Sequence, residues 1–437
     1  VRERMRGLVA DTRPLRNDHF RRLWVANIIT VVGAQLTVVA VPAQIYADTG
    51  SSAYVGLTGL FGLVPLVVFG LYGGALADVF DRRSILRVTT VGLIVTSGLF
   101  AAQAFMGSTN VWLLLSLFAV QQAFFAVNQP TRSAVLPRLL PPELLPAANS
   151  LNMTVFQAGA IAGPLVAGIA IPFTGFAWLY AIDTLTLFAT LAAVVRLPAL
   201  AVDGAAAQVP GLRAVVDGFA YLRTQPVLLM SFVVDIVAMV FGMPRALFPE
   251  IAVVDFGGPD EGGMVFALLF AAIPAGAVLG GVLSGWVSRI SRQGLAVVVC
   301  ILVWGVAMTG FGLAVLLAEQ WRTPMLVAAL LMLVVGGAAD MASAAFRTSM
   351  LQSAATDAMR GRLQGVFIVV VAGGPRVADV LHGATAAGVG AGAAAAGGGV
   401  LVVVGTVVAA LVVPSFVRYR ITRSPPGPLV GGGVHEG

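Results

Sequence analysis

Lysine is absent from this sequence of 437 residues, and all 26 basic side chains are arginine. Without lysine there is no Walker-type phosphate loop and no Schiff base to a carbonyl group. ATP-driven transport by this chain alone and retinal-type photochemistry are therefore not expected. Cysteine is nearly missing too: Cys300 stands alone in an apolar run, which excludes a disulfide framework. The three histidines, His19, His382 and His435, are scattered, so neither a metal cluster nor a cofactor is expected. Charge is scarce, at 11% of positions, against about 25% in an ordinary soluble domain.

Apolar residues take the space, at 58% of the chain with a mean hydropathy of +0.94. That balance predicts an all-α polytopic membrane protein in contact with a lipid bilayer. The formal charge of +6 gives no nucleic-acid signal, because the arginines fall in short loops and tails rather than on one face. Candidate spanning helices lie at about 23–47, 53–78, 85–106, 111–135, 145–172 and 176–196, then at 226–254, 262–287, 294–317, 324–346, 363–390 and 396–417. Each can cross a core of roughly 30 Å at about 1.5 Å per residue. The predicted organisation is a cytoplasmic segment at 1–22, a six-helix bundle at 23–196, a polar cytoplasmic linker at 197–225, a second bundle at 226–417 and a disordered tail at 418–437. The basic N-terminal stretch lacks an apolar core followed by a small-residue cleavage site, so no signal peptide is expected.

Arginine counting sets the orientation. With residues 1–22 inside, 23 of the 26 arginines fall in or beside inner segments, and only Arg245, Arg322 and Arg376 do not. The positive-inside rule then places both termini in the cytoplasm. The halves also echo each other. Gly73-Gly74-Ala75-Leu76 recurs as Gly280-Gly281-Val282-Leu283, and Arg132 at the end of the fourth helix matches Arg347 at the end of the tenth. A duplicated six-helix unit, able to rock about a midplane site, is the expected architecture.

Polar groups inside spanning helices are costly and usually face the bundle interior or water. The first helix carries Asn27, Gln35 and Gln44; the fourth carries Gln121 and Gln122 beside Phe125. These residues, with Asp235 and Arg376, are the candidates for lining a central cavity, with ordinary interhelical bonding as the alternative for about half of them. Amides beside aromatics suit a sizeable amphipathic organic molecule better than a small ion. The membrane carboxylates are Asp183, Asp235, Asp340 and Asp379, all candidates for proton coupling. Asp235 leads because no basic residue lies within two turns on its own helix; an arginine from another helix is the alternative. Arg376 and Asp379, three apart, are expected to neutralise each other, and Asp340 can reach Arg347.

Gly74, Asp78, Arg82 and Arg83 lie at the turn between the second and third helices. They resemble the signature of the major facilitator superfamily at that place, with Val79 and Asp81 departing from it. Gly159, Gly163, Pro164 and Gly168 on the fifth helix are similar to the antiporter motif of facilitator exporters, with Ala167 and Ser150 as departures. Val41-Pro42-Ala43-Gln44, Gly242-Met243-Pro244-Arg245 and Gly373-Gly374-Pro375-Arg376 resemble the enterobactin-efflux branch and its drug-efflux relatives over about residues 18–420. Drug antiporters carry a coupling arginine on the fourth helix; none stands around Ala119 to Gln122. The resemblance implies twelve helices in two pseudo-symmetric bundles, and proton-driven export of a siderophore-like molecule or drug from the cytoplasm by a monomer in the inner membrane. It also implies that Asp78 sits near the start of the eleventh helix, around Arg360 to Leu363, as part of a gate. A proton-coupled importer and a non-transporting receptor stay open as alternatives. A membrane enzyme is not expected, because no nucleophile–base pair or dense acid cluster is present.

Overall fold

Runs of Leu, Val, Ala and Ile with polar residues at the turns leave the backbone one option in hydrocarbon, which is to satisfy its own hydrogen bonds as helices. The computed structural model describes residues 11–198, 220–259, 263–354 and 357–420; side chains are not described at 71–79, 286, 288, 352–354 and 357–372. Its long helices are α1 (Asp18–Thr49), α2 (Ser52–Val79), α3 (Arg82–Phe105) and α4 (Val111–Leu139), followed by a continuous stretch, Leu145–Val195. Gly175 breaks that stretch with φ 71° and ψ 176°, a left-handed φ that an L side chain rarely adopts, so α5 spans 145–174 and α6 spans 176–195. The second half contains α7 (Pro226–Gly242), α8 (Met264–Val282), α9 (Gln293–Leu316), α10 (Arg322–Ala354), α11 (Asp357–Val389) and α12 (Ala391–Val412).

Ten described segments are long and apolar enough to cross a membrane. The Gly175 break makes one of them two, and α11 supplies a further long helix, which gives the twelve of the sequence reading. Several boundaries moved: α1 and α11 begin earlier than expected, and α4 and α10 end later. The seventh span is regular only to Gly242, then turns through Arg245–Leu247 and Phe248–Glu250 into a π-turn at Ile251–Asp255. Pro244 and Pro249 lie in that stretch, and a proline ring cannot donate to the preceding turn. The eighth span stops at Val282 and continues as a 3-10 turn, and the twelfth begins at Ala391, directly after Gly390.

Successive spans alternate direction between a near face, where α1 begins and α12 ends, and the opposite far face. Asn17 ties the near face together. Its Oδ1 accepts from the His19 and Phe20 amides at 3.0 Å, capping α1, while its Nδ2 donates to the Leu139 carbonyl at 2.8 Å, closing α4. At the turn after α2, Asp81 caps α3 by accepting from the Arg83 amide at 3.1 Å. Arg82 donates to the Ala134 carbonyl at 3.1 Å, and Arg83 and Arg87 both donate to Val195 at the end of α6. Cationic side chains at helix C-termini suit the polarity of those ends. Gly74 and Asp78 lie on α2, but their surroundings, like those of Arg360 to Leu363, fall outside the described residues. So do most of the linker, the first ten residues and the tail beyond Arg420.

The helices pack as two six-helix bundles, α1–α6 and α7–α12, the arrangement that the sequence resemblance implies. They meet along two seams, α2 against α11 and α5 against α8. On α2, glycines recur every third residue at Gly56, Gly59 and Gly62. A Cβ at Gly56 would stand 2.6 Å from the Asp379 carbonyl oxygen, so α11 lies backbone to backbone against α2 there. Gly168 of α5 lies equally close to Ala267 at the start of α8. Ser52 donates to Glu250 across the far rim. These contacts lie in the far half of the membrane and close the two bundles against each other on that side.

Candidate functional site

Beneath that closure lies a cavity of about 100 Å³ between the bundles, lined from α1, α2, α4, α8, α11 and the turn after α7. Its polar lining is Thr58, Gln122, Arg245, Arg376 and Asp379, and its aromatic walls are Phe118 and Phe270. Two of the three arginines that escaped the positive-inside count meet here. A charge at mid-span costs about 2.5–3.5 kcal/mol on insertion scales, so their joint presence points to function rather than packing.

The geometry corrects one sequence expectation. Asp379, buried at 2% exposure, is paired with Arg245 at 2.9 Å instead of with Arg376, its neighbour on α11. The broken end of α7 brings Arg245 to α11, which no helical spacing could reveal. Arg376 reaches across the seam. Its Nη2 donates to the Gln122 amide oxygen at 3.1 Å, and its guanidinium carbon lies 5.3 Å from the centre of the Phe118 ring. Gly62 makes room for it, since a Cβ there would be 2.9 Å from Arg376 Nη1. Phe118 stands beside the fourth-helix amides in sequence, but neither Arg245 nor the glycine row on α2 is among the sequence-predicted site residues. The row repeats every third residue, and Arg245 was one of only three arginines off the inner side, so both signals were available.

A second charged cluster lies inside the C-terminal bundle. Arg347 of α10 forms an ion pair with Asp235 of α7, and its other terminal nitrogen is 3.8 Å from Asp340. Arg347 and Asp235 are 6% and 1% exposed, so the pair is buried. Asp235 therefore does have a cation, from another helix, and Asp340 shares it as expected.

The remaining candidates divide. Gln35 packs over Gly163 and Val31 over Gly159, so the glycines of the α5 motif seat α1. Pro164 is buried within α5. Gln44 is spent inside the N-terminal bundle: it accepts from the Tyr180 hydroxyl at 2.9 Å and from Gln103 at 3.1 Å. It does not line the cavity, because its amide is already committed to α3 and α6. Asp183 sits in the same bundle, with Oδ2 accepting from Thr37 at 2.7 Å and Ser97 at 2.9 Å. Gln121 is buried on α4, Asn27 is half-buried on α1, and Phe125 is exposed on α4 one turn nearer the near face; none of them lines the closed cavity. Among the described residues no group of three or more His, Cys, Asp and Glu could hold a metal.

Two bundles packed around a charged central cavity is an architecture shared by many transporters, and comparison narrows it. The family model described as transmembrane secretion effector, within the major facilitator group, matches residues 9–429. The chain belongs to this family. It is a multi-pass membrane transporter and not an enzyme. Over 372 residues it is 28% identical to the enterobactin exporter EntS of Shigella boydii serotype 18, covering 83% of this chain and 84% of that one. EntS of Escherichia coli O81 matches at the same identity and coverage. In fold, the transporter is similar to a bacterial homologue of the human lysosomal transporter Spinster in an inward-facing, unoccupied conformation. That structure has a TM-score of 0.64 and 17% identity, covering 95% of this chain and all of the other. The nucleoside transporter NupG aligns with a TM-score of 0.69 and 12% identity, covering 92% of this chain and all of NupG.

Proposed function

We propose that this transporter exports an amphipathic organic solute, a siderophore-like molecule or a drug, from the cytoplasm by proton antiport and alternating access. The observation that carries the reading is the cavity of charged, amide and aromatic side chains between the two bundles, closed at its far rim. Kinship with exporters of a siderophore supports the direction and the solute class. The arginine distribution supports cytoplasmic termini, and so makes the near face the side from which solute enters. The transporter works as a monomer, with residues 23–196 and 226–417 as its moving halves and the stretch between them as a cytoplasmic linker.

Proton coupling is assigned to the shared cluster in the C-terminal bundle. Two carboxylates, Asp235 and Asp340, face one guanidinium, so one of them can take a proton while Arg347 keeps an anionic partner. Asp379 has a cation of its own in Arg245, and Asp183 is held by two hydroxyls between helices; both rank behind the cluster. The turn with Gly74, Asp78, Arg82 and Arg83 is assigned to gating at the near face, and Gly168 of α5 to the sliding seam against α8.

Reconstituted vesicles with an imposed pH gradient test the coupling. Asp235→Asn is expected to lose uphill efflux and keep downhill exchange, while Asp183→Asn keeps both. Wild-type gradient dependence in both Asp235→Asn and Asp340→Asn removes the cluster from the coupling path and transfers the role to Asp379. Direction is tested in cells: a deletion strain should retain the solute and release less of it. Lowered uptake with no retained compound would instead make this an importer.

A further inference from the structure

The cavity between the bundles carries more positive charge than its own carboxylate balances. Two guanidiniums, Arg245 and Arg376, face it together with one carboxylate, Asp379. Asp379 is committed to Arg245 at 2.9 Å. Among the described residues, Arg376 has no carboxylate within ion-pairing distance; it is held by the Gln122 amide at 3.1 Å and the Phe118 ring. An amide oxygen and an aromatic face supply partial negative charge but no formal one. Asp379 and Arg245 act on Arg376 only at longer range. A guanidinium at membrane depth whose direct contacts are neutral, beside open volume, is an arginine prepared for an anion.

We propose that Arg376 forms an anion subsite that takes an acidic aromatic group of the transported solute, a carboxylate or an ionised phenol. This inference rests on the export reading and deepens it. Three features fix the chemistry. Arg376 is clamped before the ligand arrives: Gly62 on one side allows its close approach, and Phe118 and Gln122 hold it on the other. The lining adds the Phe118 and Phe270 rings and the aliphatic Val38, Val41 and Val55, which suit a flat apolar body attached to the anion. At about 100 Å³ the space is smaller than the cavity of about 150 Å³ that holds benzene. In the far-closed state it therefore takes the anionic end and the adjoining edge of a ring, with the rest of the solute outside it. The far-closed state thus grips the acidic end of a larger solute.

The Arg376 contacts also cross the seam, from α11 to α4. An anion that competes with Gln122 for the guanidinium loosens a link between the bundles as it binds. Occupancy of the subsite is thereby tied to movement of the halves.

The test uses benzoate, benzamide and benzylammonium as probes, one flat ring with three charges, and the full-length protein in phosphatidylcholine nanodiscs. Binding is read by saturation-transfer NMR. Benzoate is expected to bind at least tenfold more tightly than either of the others. Arg376→Gln should abolish that preference, and Arg376→Lys should keep the ranking at lower affinity, because an ammonium supplies charge without the planar fork. Gly62→Ala, which pushes the guanidinium aside, should weaken benzoate while leaving benzamide unchanged. Equal binding of the three probes by the wild-type protein overturns the proposal, as does an Arg376→Gln protein with a wild-type thermal transition that still prefers benzoate. Displacement of benzoate by added phosphatidylglycerol would give the subsite to lipid headgroups and overturn it likewise. Uphill export of cationic solutes without any anion preference sinks the subsite and leaves the export reading standing. Anion preference without any transport does the reverse.

Discussion

The two six-helix bundles share one helix layout, yet they hold their interiors with different chemistry. The N-terminal bundle joins its helices through amides and hydroxyls: Gln44 with Gln103 and Tyr180, Asn128 with Thr89, Thr30 with Thr190. Its buried Asp183 is met by two hydroxyl groups. The C-terminal bundle uses ion pairs, Arg347 with Asp235 and Asp340, and Arg245 with Asp379. The contrast is sharpest at one repeated position. Arg132 ends the polar face of α4 and donates to the Leu23 carbonyl of α1 at 3.3 Å. Its counterpart Arg347 meets a carboxylate on α7. A backbone carbonyl cannot change its charge, whereas a carboxylate can. Under the proposed coupling the first half, whose one buried carboxylate among the described residues, Asp183, is met by hydroxyls and not by a cation, is the scaffold. The second is the half in which protonation and movement are linked.

The largest effect is expected where that difference is greatest. Arg347→Ala should destabilise the folded protein by about 3–5 kcal/mol, because it strands buried carboxylates. Arg132→Ala should cost only about 1 kcal/mol, the loss of a bond to a carbonyl. Reversible unfolding in mixed micelles measures both, and equal losses would erase the distinction between the halves. Replacing Asp235 and Arg347 together by leucine should recover much of the stability without restoring gradient-driven transport, since the desolvation penalty disappears with the pair.

Next comes the seam between the halves. Gly59→Ala would press a methyl group into the Arg376 carbonyl, and Gly56→Ala into that of Asp379, so each should force the far rim apart. Spin-label distances between the far ends of α2 and α11 should lengthen in both variants. Gly70→Ala, where nothing lies within 4 Å of the added carbon, should leave them unchanged. If Gly56→Ala and Gly59→Ala both keep the wild-type distances, the glycine row does not set the closure.

A smaller effect belongs to the scaffold. Gln44→Leu should cost about 0.6–1.7 kcal/mol, the range of interhelical hydrogen bonds in membranes, and leave the pH-gradient dependence of transport intact. Altered gradient dependence in this variant would carry coupling chemistry into the first half. The smallest expected change is at the near surface, where Asp18 and Arg21 form an exposed pair at 2.7 Å. Asp18→Ala should shift unfolding by no more than about 1 kcal/mol, in line with other solvated pairs.

Much of this was legible in the residues. Scarce charge and twelve apolar blocks predicted the helices, because a hydrocarbon solvent permits few other structures and hydropathy is a sum over neighbours in sequence. The Asp340–Arg347 approach followed from spacing along one helix, and the close packing of α5 from glycines and a proline in one short run. The sequence by itself determined the class, the number of spans and the fact that a few polar groups would have to be accommodated within them. What it left open was partnership. Asp235 looked solitary along α7, Arg376 and Asp379 looked like a pair along α11, and Gln44 looked free to line a cavity. The tertiary structure assigned Arg347, Gln122, Arg245, Gln103 and Tyr180 to them from other helices. The physical reason is that an ion pair or hydrogen bond needs two groups within about 3 Å in space. Helical periodicity reports only on neighbours three or four residues away, so partners drawn from different spans are fixed when the spans pack.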